Sequence, residues 1–171
     1  MKKILLGVLF ILVFVITYFI YTEFSFTPLR KKDFQNLFKS DNISLNKSCY
    51  KDFIGASIHG ELFEFYTYKT NGITIDKSYP IIAEWENKKI TNTTVIGKWR
   101  NCPIDSQTTV LYEPILSVNN YDDSKCSSSF KNDIINPNNY YSYIYFSESE
   151  EYFLLYSVDR QELNYVRLNG L

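Results

Sequence analysis

The run YYSYIYFSESEEYFLLYSVDRQELNYVRL, residues 140–168, decides the fold. Its three apolar stretches, YYSYIYFS, YFLLYSV and ELNYVRL, are joined by ESEE and DRQ. Aromatic and branched side chains suit a pleated, half-buried surface, and joints this short are hairpin connections, so the run predicts a three-stranded antiparallel meander. Pairing Ser147 with Tyr152 and Val158 with Gln161 sets its register. Side chains alternate along a strand. One face then carries Ile144, Phe146, Phe153, Leu155 and Val166, and this is the expected core side. The other carries Tyr143, Tyr145, Leu154, Tyr156, Leu163 and Tyr165, apolar in body and polar at the tips. Tyrosine combines a large rigid contact area with a hydroxyl at low entropic cost. Tyr143, Tyr145, Tyr156 and Tyr165 are therefore the candidate binding residues. The structural alternative is a second buried layer beneath a helix.

Upstream, ELFEFYTYKTNGITIDKS contains Asn71-Gly72, the preferred pair for a two-residue type I′ turn. It predicts a hairpin with Thr70 opposite Ile73 and Tyr68 opposite Ile75. Leu62, Tyr66, Tyr68, Ile73 and Ile75 form the expected core side, with Phe63 and Phe65 on a second covered face. TTVIGKW (93–99) and TTVLYEP (108–114) read as further strands. TPLRKKDFQNLFKS predicts a helix of about ten residues, with Thr27 as N-cap and Pro28 in the first turn. Its apolar stripe is Phe34, Leu37 and Phe38. Residues 40–52 read as polar and turn-rich, and 114–139 as a long polar excursion with a serine-capped helical turn in SSSFKNDII. The expected class is α+β, mostly antiparallel β, with a curved or barrel-like sheet of six to seven strands.

Residues 4–22 contain no charge, and as a helix they span roughly 28 Å, close to the hydrocarbon thickness of a bilayer. That run exceeds a secretory h-region, and YTEFSFTP after it lacks an A-x-A-like cleavage site. Residues 1–26 are thus expected to be a retained anchor contacting lipid through 4–22, and 27–171 one β-rich domain. Lys2 and Lys3 before the apolar run favour the N-terminus inside and the domain outside the cytoplasm. Arg30, Lys31 and Lys32, beyond the run, either contact lipid headgroups or mark topology.

Removing Lys2 and Lys3 from 18 basic residues leaves 16 against 19 acidic ones, a balance that excludes a nucleic-acid surface. Cys49, Cys102 and Cys126 make an odd set, consistent with one bridge in an oxidising compartment. Cys102–Cys126 is the expected pair because it closes a polar loop, with Cys49 an open alternative. Their spacings, and that of the sole histidine, lack the short clips of a zinc site. No cofactor motif is present: the chain has no glycine-rich phosphate loop and no G-x-S-x-G elbow.

His59 and Glu61, two apart, would share a strand face as a minimal base–carboxylate pair. Glu84 and Glu86 flank Trp85 at a separation compatible with sugar cleavage. Each has a plainer reading, a hydrogen-bonded surface histidine and a charged turn, and no nucleophile accompanies the histidine. Cys49 beside Lys51 is likewise better read as structural than reactive. The sequence therefore points to a membrane-anchored binding domain for a protein, peptide or small apolar ligand. A tethered hydrolase using His59 with a carboxylate is the alternative.

Overall fold

The structure is a computed structural model and describes residues 2–24, 31–55, 57, 61–71, 73–81, 92–117, 126, 128–147 and 150–170. Helices α1 (Lys2–Phe24) and α2 (Lys31–Phe38) precede strands β1 (Leu45–Asp52), β2 (Leu62–Thr70), β3 (Val95–Ile96) and β4 (Arg100–Asn101). Short helices α3 (Ser106–Leu111), α4 (Glu113–Ser117) and α5 (Phe130–Asp133) follow. Strands β5 (Tyr140–Ser147), β6 (Glu150–Ser157) and β7 (Glu162–Asn169) complete the chain. The seven strands among the described residues join one antiparallel sheet, ordered β1-β2-β7-β6-β5-β3, with β4 also on β5. The sheet is open, not a barrel.

The meander forms, with one register as expected and one shifted. Ser157 opposite Glu162 is the same β6–β7 alignment as Val158 with Gln161. Between β5 and β6, however, Ser147 faces Glu150 instead of Tyr152, and the alignment slips again between Tyr145 and Ser147. The net displacement is odd, so β5 turns over relative to β6. Ile144 and Phe146 therefore share a core with Tyr152, Leu154, Tyr156, Leu163 and Tyr165. Tyr141 and half-buried Tyr143 pack with Phe153, Leu155, Val166 and Leu168 on the opposite side.

The second hairpin is replaced by longer-range pairing. β2 lies between β1 and β7, so both its edges are occupied. Thr70 N–H and Oγ1–H both donate to Gln161 O, at 2.8 and 2.9 Å. Gly72 lies outside the described residues, and 73–76 are not strand. The faces agree with expectation for Tyr66, Tyr68, Ile73 and Ile75, which pack in one core, and for Phe63 and Phe65 in the other, while Leu62 at the strand end is half-buried and in neither. β1 corrects the reading of 40–52 as turns. As an edge strand it buries no side chain fully, leaving no alternation to detect.

Helices cover both faces. On one, the Phe34, Leu37 and Phe38 stripe of α2 is buried as its spacing predicts. Phe38 stacks on Trp99 at 5.2 Å, and Trp99 Nε1–H donates to Leu37 O at 2.7 Å, satisfying a helix-end carbonyl. Lys39 closes the helix in the left-handed region (φ 51°), with Ser40 N–H donating to Gln35 O. Thr27 and Pro28 lie outside the described residues. On the other face, α3 and α4 replace the strand expected over 108–114. Asp105 is the N-cap, accepting from Thr108 N–H at 2.8 Å, which overrides the strand preference of Thr108, Thr109 and Val110. Ser129 holds the cap position of α5 but makes no side-chain cap bond.

The disulfide joins Cys49 to Cys126, not Cys102 to Cys126. Cys102 is a free thiol buried beneath the α3–α5 layer, and burial pushes it up to about 12. It is therefore neither bridged nor nucleophilic.

α1 is helical throughout Lys2–Phe24, and its described side chains, residues 7–18, are exposed and almost wholly apolar. Among the described residues no helix is both long and apolar enough to cross a membrane. The expected span over 4–22 gains no support from that criterion.

At the centre of the sheet Glu64 sits opposite Arg167, and both are buried. Arg167 Nη1–H donates to Glu64 Oε2 at 2.7 Å, and the Tyr50 and Tyr66 hydroxyls donate to the same carboxylate at 2.8 and 3.1 Å. Burial and the carboxylate push the Tyr50 phenol up to about 12, and Tyr66 is raised as well. Arg167→Met alone strands a buried carboxylate and is expected to cost about 3–5 kcal/mol in urea unfolding, while Glu64→Leu with Arg167→Met recovers most of it. A single variant as stable as the wild type refutes the assignment. For the bridge, loop-closure entropy over a separation of 77 residues gives about 4–5 kcal/mol. Cys49→Ser should lose most of that, and a non-reducing peptide map should leave Cys102 alone free.

Candidate functional site

With both faces of the sheet covered, open concave surface lies at the strand ends. Among the described residues, a cleft of about 480 Å³ lies between residues 73–75 and the ends of β5 and β6. This volume is in the range of small-ligand sites. Half-buried Tyr140 and buried Tyr156 line its inner side, with exposed Val158, Thr74, Asn101, Asn138 and Asp159 also among its lining residues.

Each wall is positioned by a local device. The cleft's Tyr140–Tyr156 floor is a directly opposed cross-strand pair. Lys77 donates to Asn101 Oδ1, and its ammonium lies 5.7 Å from the Tyr140 ring centroid. Asn101 Nδ2–H donates to Pro137 O at 3.1 Å. The β6–β7 turn is held by Arg160, which pairs with both oxygens of Asp133 and reaches Glu162 at 2.7 Å. Buried Asn139 donates to Asp133 O and accepts from Val158 N–H, tying α5 to the same turn. The result is a firmly held recess with an aromatic floor and polar rim, suited to recognition. Among the described residues no cluster of His, Cys, Asp and Glu is arranged to hold a metal ion.

The four expected tyrosines do not form one surface. Tyr156 and Tyr165 are buried in the core under α2, although Tyr156 also backs the cleft. Tyr143 and Tyr145 are half-buried on the opposite side, with Tyr145 directly across from Glu151. Burial raises the Glu151 carboxyl and the Tyr112 phenol beside it. Tyr143 has a packing role. Gly97 N–H donates to Tyr143 O at 2.8 Å, and the tyrosine ring lies against the bare Gly97 backbone.

Asp105 belongs to a separate polar knot. Tyr141 Oη–H at 2.6 Å and Arg100 Nη1–H at 2.7 Å donate to it, and with Thr108 they hold its carboxyl well below the usual range. This knot anchors the start of α3. His59, Glu84 and Glu86 lie outside the described residues. Glu61, the expected carboxylate partner of His59, accepts from Ser57 Oγ–H at 2.9 Å.

Sequence reading missed Asn101, Asn138, Tyr140 and Asp159 as site residues. They come from separate turns and strand ends, so no local spacing joins them. The only local signal is the turn-forming NPNN before β5. No family model, curated protein or solved structure matches this chain.

A Cβ added at Gly97 would lie 2.6 Å from Tyr143 Cε1 and 2.8 Å from Cδ1. Gly97→Ala should therefore destabilise by about 1–3 kcal/mol in urea unfolding. Adding Tyr143→Ala should make the two losses sub-additive. Strict additivity would show that the ring does not rest on Gly97.

Proposed function

We propose that this chain is a single-pass, membrane-anchored recognition module whose β-sheet lies outside the cytoplasm, with the cleft over Tyr140 and Tyr156 as its binding surface. The Cys49–Cys126 bridge carries the reading, because a bridge fixing an edge strand persists in an oxidising compartment. The uncharged run 4–22, within the continuous helix α1, supports the tether. Lys2 and Lys3 support an inside N-terminus.

A binding role agrees with the cleft chemistry. Its aromatic floor and amide-rich rim can orient a protein segment or a small ligand, but they assemble no base–nucleophile pair. The alternative hydrolase would use His59, and Glu61 in the described structure is engaged by Ser57.

Protease added to intact cells or spheroplasts tests the proposal. Digestion of residues 30–171, with an N-terminal fragment left in the carbonate-washed membrane, is the expected result. Protection of the domain, or recovery of mature protein beginning beyond Phe26 from the aqueous fraction, overturns it.

A further inference from the structure

We propose that a second recess, between α2 and the start of β1, seats one anionic phospholipid of the bilayer that α1 enters. Its phosphate lies at Lys31, and its glycerol and upper acyl chain lie against Phe34, Ile43, Leu45 and Tyr68. This rests on the anchored reading above. The recess, about 420 Å³, is lined by those residues and Ser44. Phe34 and Ile43 are buried, while Leu45 and Tyr68 are half-buried against the same core. Lys31 is exposed at its mouth, with exposed Lys32 next in the first turn of α2.

Two observations select a lipid as occupant. The first is reach: seven Cα steps from Phe24 to Lys31 extend to at most about 25 Å. An anchor ending at the membrane surface therefore holds Lys31 within about 25 Å of it, whatever the path of the linking residues. The second is chemical complementarity. A cation at the mouth and apolar walls behind it match the anionic phosphate and greasy upper chains at the headgroup boundary. The cleft over Tyr140 differs in having the carboxylate Asp159 and the amides Asn101 and Asn138 among its lining residues.

The full chain in nanodiscs provides the test. Amine acetylation, read by mass spectrometry, compares Lys31 with exposed Lys98 in phosphatidylcholine alone and with about 30 mol% phosphatidylglycerol. The expected result is about fivefold slower modification of Lys31, relative to Lys98, in the anionic discs. Leu45→Glu keeps Lys31 but places a carboxylate in the recess, and should abolish that difference. Equal rates in the two lipids, or full protection retained in Leu45→Glu, overturn the proposal and leave the anchor standing. A chain that stays out of the discs overturns both readings. If Leu45→Glu does not fold, phosphatidylglycerol with a diazirine high on its acyl chain decides on the wild type. Label on Ile43, Leu45 or Tyr68 supports the recess, and label confined to α1 refutes it.

Discussion

The β2–β7 pairing, fixed by the buried Glu64–Arg167 ion pair, is the constraint from which the rest of the sheet follows. Removing two charges from water costs several kcal/mol per ion, so such a pair forms only with good geometry and supporting hydrogen bonds. Here the carboxylate accepts from Arg167, Tyr50 and Tyr66. Because opposing residues alternate faces, a one-residue slip would place one charge on the opposite, apolar side of the sheet. A two-residue slip would separate the pair within the same face. One alignment pairs the two ions. That alignment brings residues 103 positions apart together and splices the β1–β2 unit onto the C-terminal meander.

Once β2 and β7 are joined, the remaining packing is largely determined. Tyr66 stacks on Tyr165 at 5.2 Å and Tyr165 on Tyr152 at 5.6 Å, a row of rings across the sheet under the α2 side. The opposite face gathers Phe65, Phe130 and Phe153 beneath the short helices. What remains vulnerable is the outer edge of β1, whose backbone groups could pair with another chain. Lysines and bulges discourage such pairing. β1 has Lys47 and Lys51, an irregularity between Lys47 and Cys49, and the bridge to Cys126.

Local pattern carried the elements that local physics decides. The α2 stripe, the β6–β7 register and the two-sided coverage of β2 were all legible, since each depends on side-chain period and a short connection. The β5–β6 register was not, because the closing pair Ser147–Glu150 and the adjacent slip leave no trace in alternating hydrophobicity. That odd displacement dispersed the expected tyrosine surface: it put Tyr143 and Tyr156 on opposite sides. The Asn71-Gly72 turn competed with β7 for one edge of β2, and the longer-range pairing with the buried ion pair prevailed. β1 was hidden by its exposure, and the α3 helix by threonines whose strand preference Asp105 overrides. The cysteine pairing was illegible for a related reason: Cys49 joins the excursion only once β1 exists as an edge.

Double coverage also bears on where recognition can occur. A β-sheet normally offers a broad face to a partner, but here both faces are filled by the chain's own aromatics, leaving concave surface at the strand ends. Both recesses lie toward one end of the sheet, marked by the pairs Leu45–Thr70, Lys69–Glu162 and Tyr140–Tyr156. α2 spans the interval between them. Its Phe34 walls the recess beside β1, while its Phe38 packs edge-on at 5.7 Å against Tyr156, the floor of the other cleft. Beyond Phe38, Lys39 reaches Asp76 and lies over the Tyr79 ring, joining the end of α2 to the segment that walls the cleft over Tyr140. Helix α2 is thus the element against which both recesses are shaped.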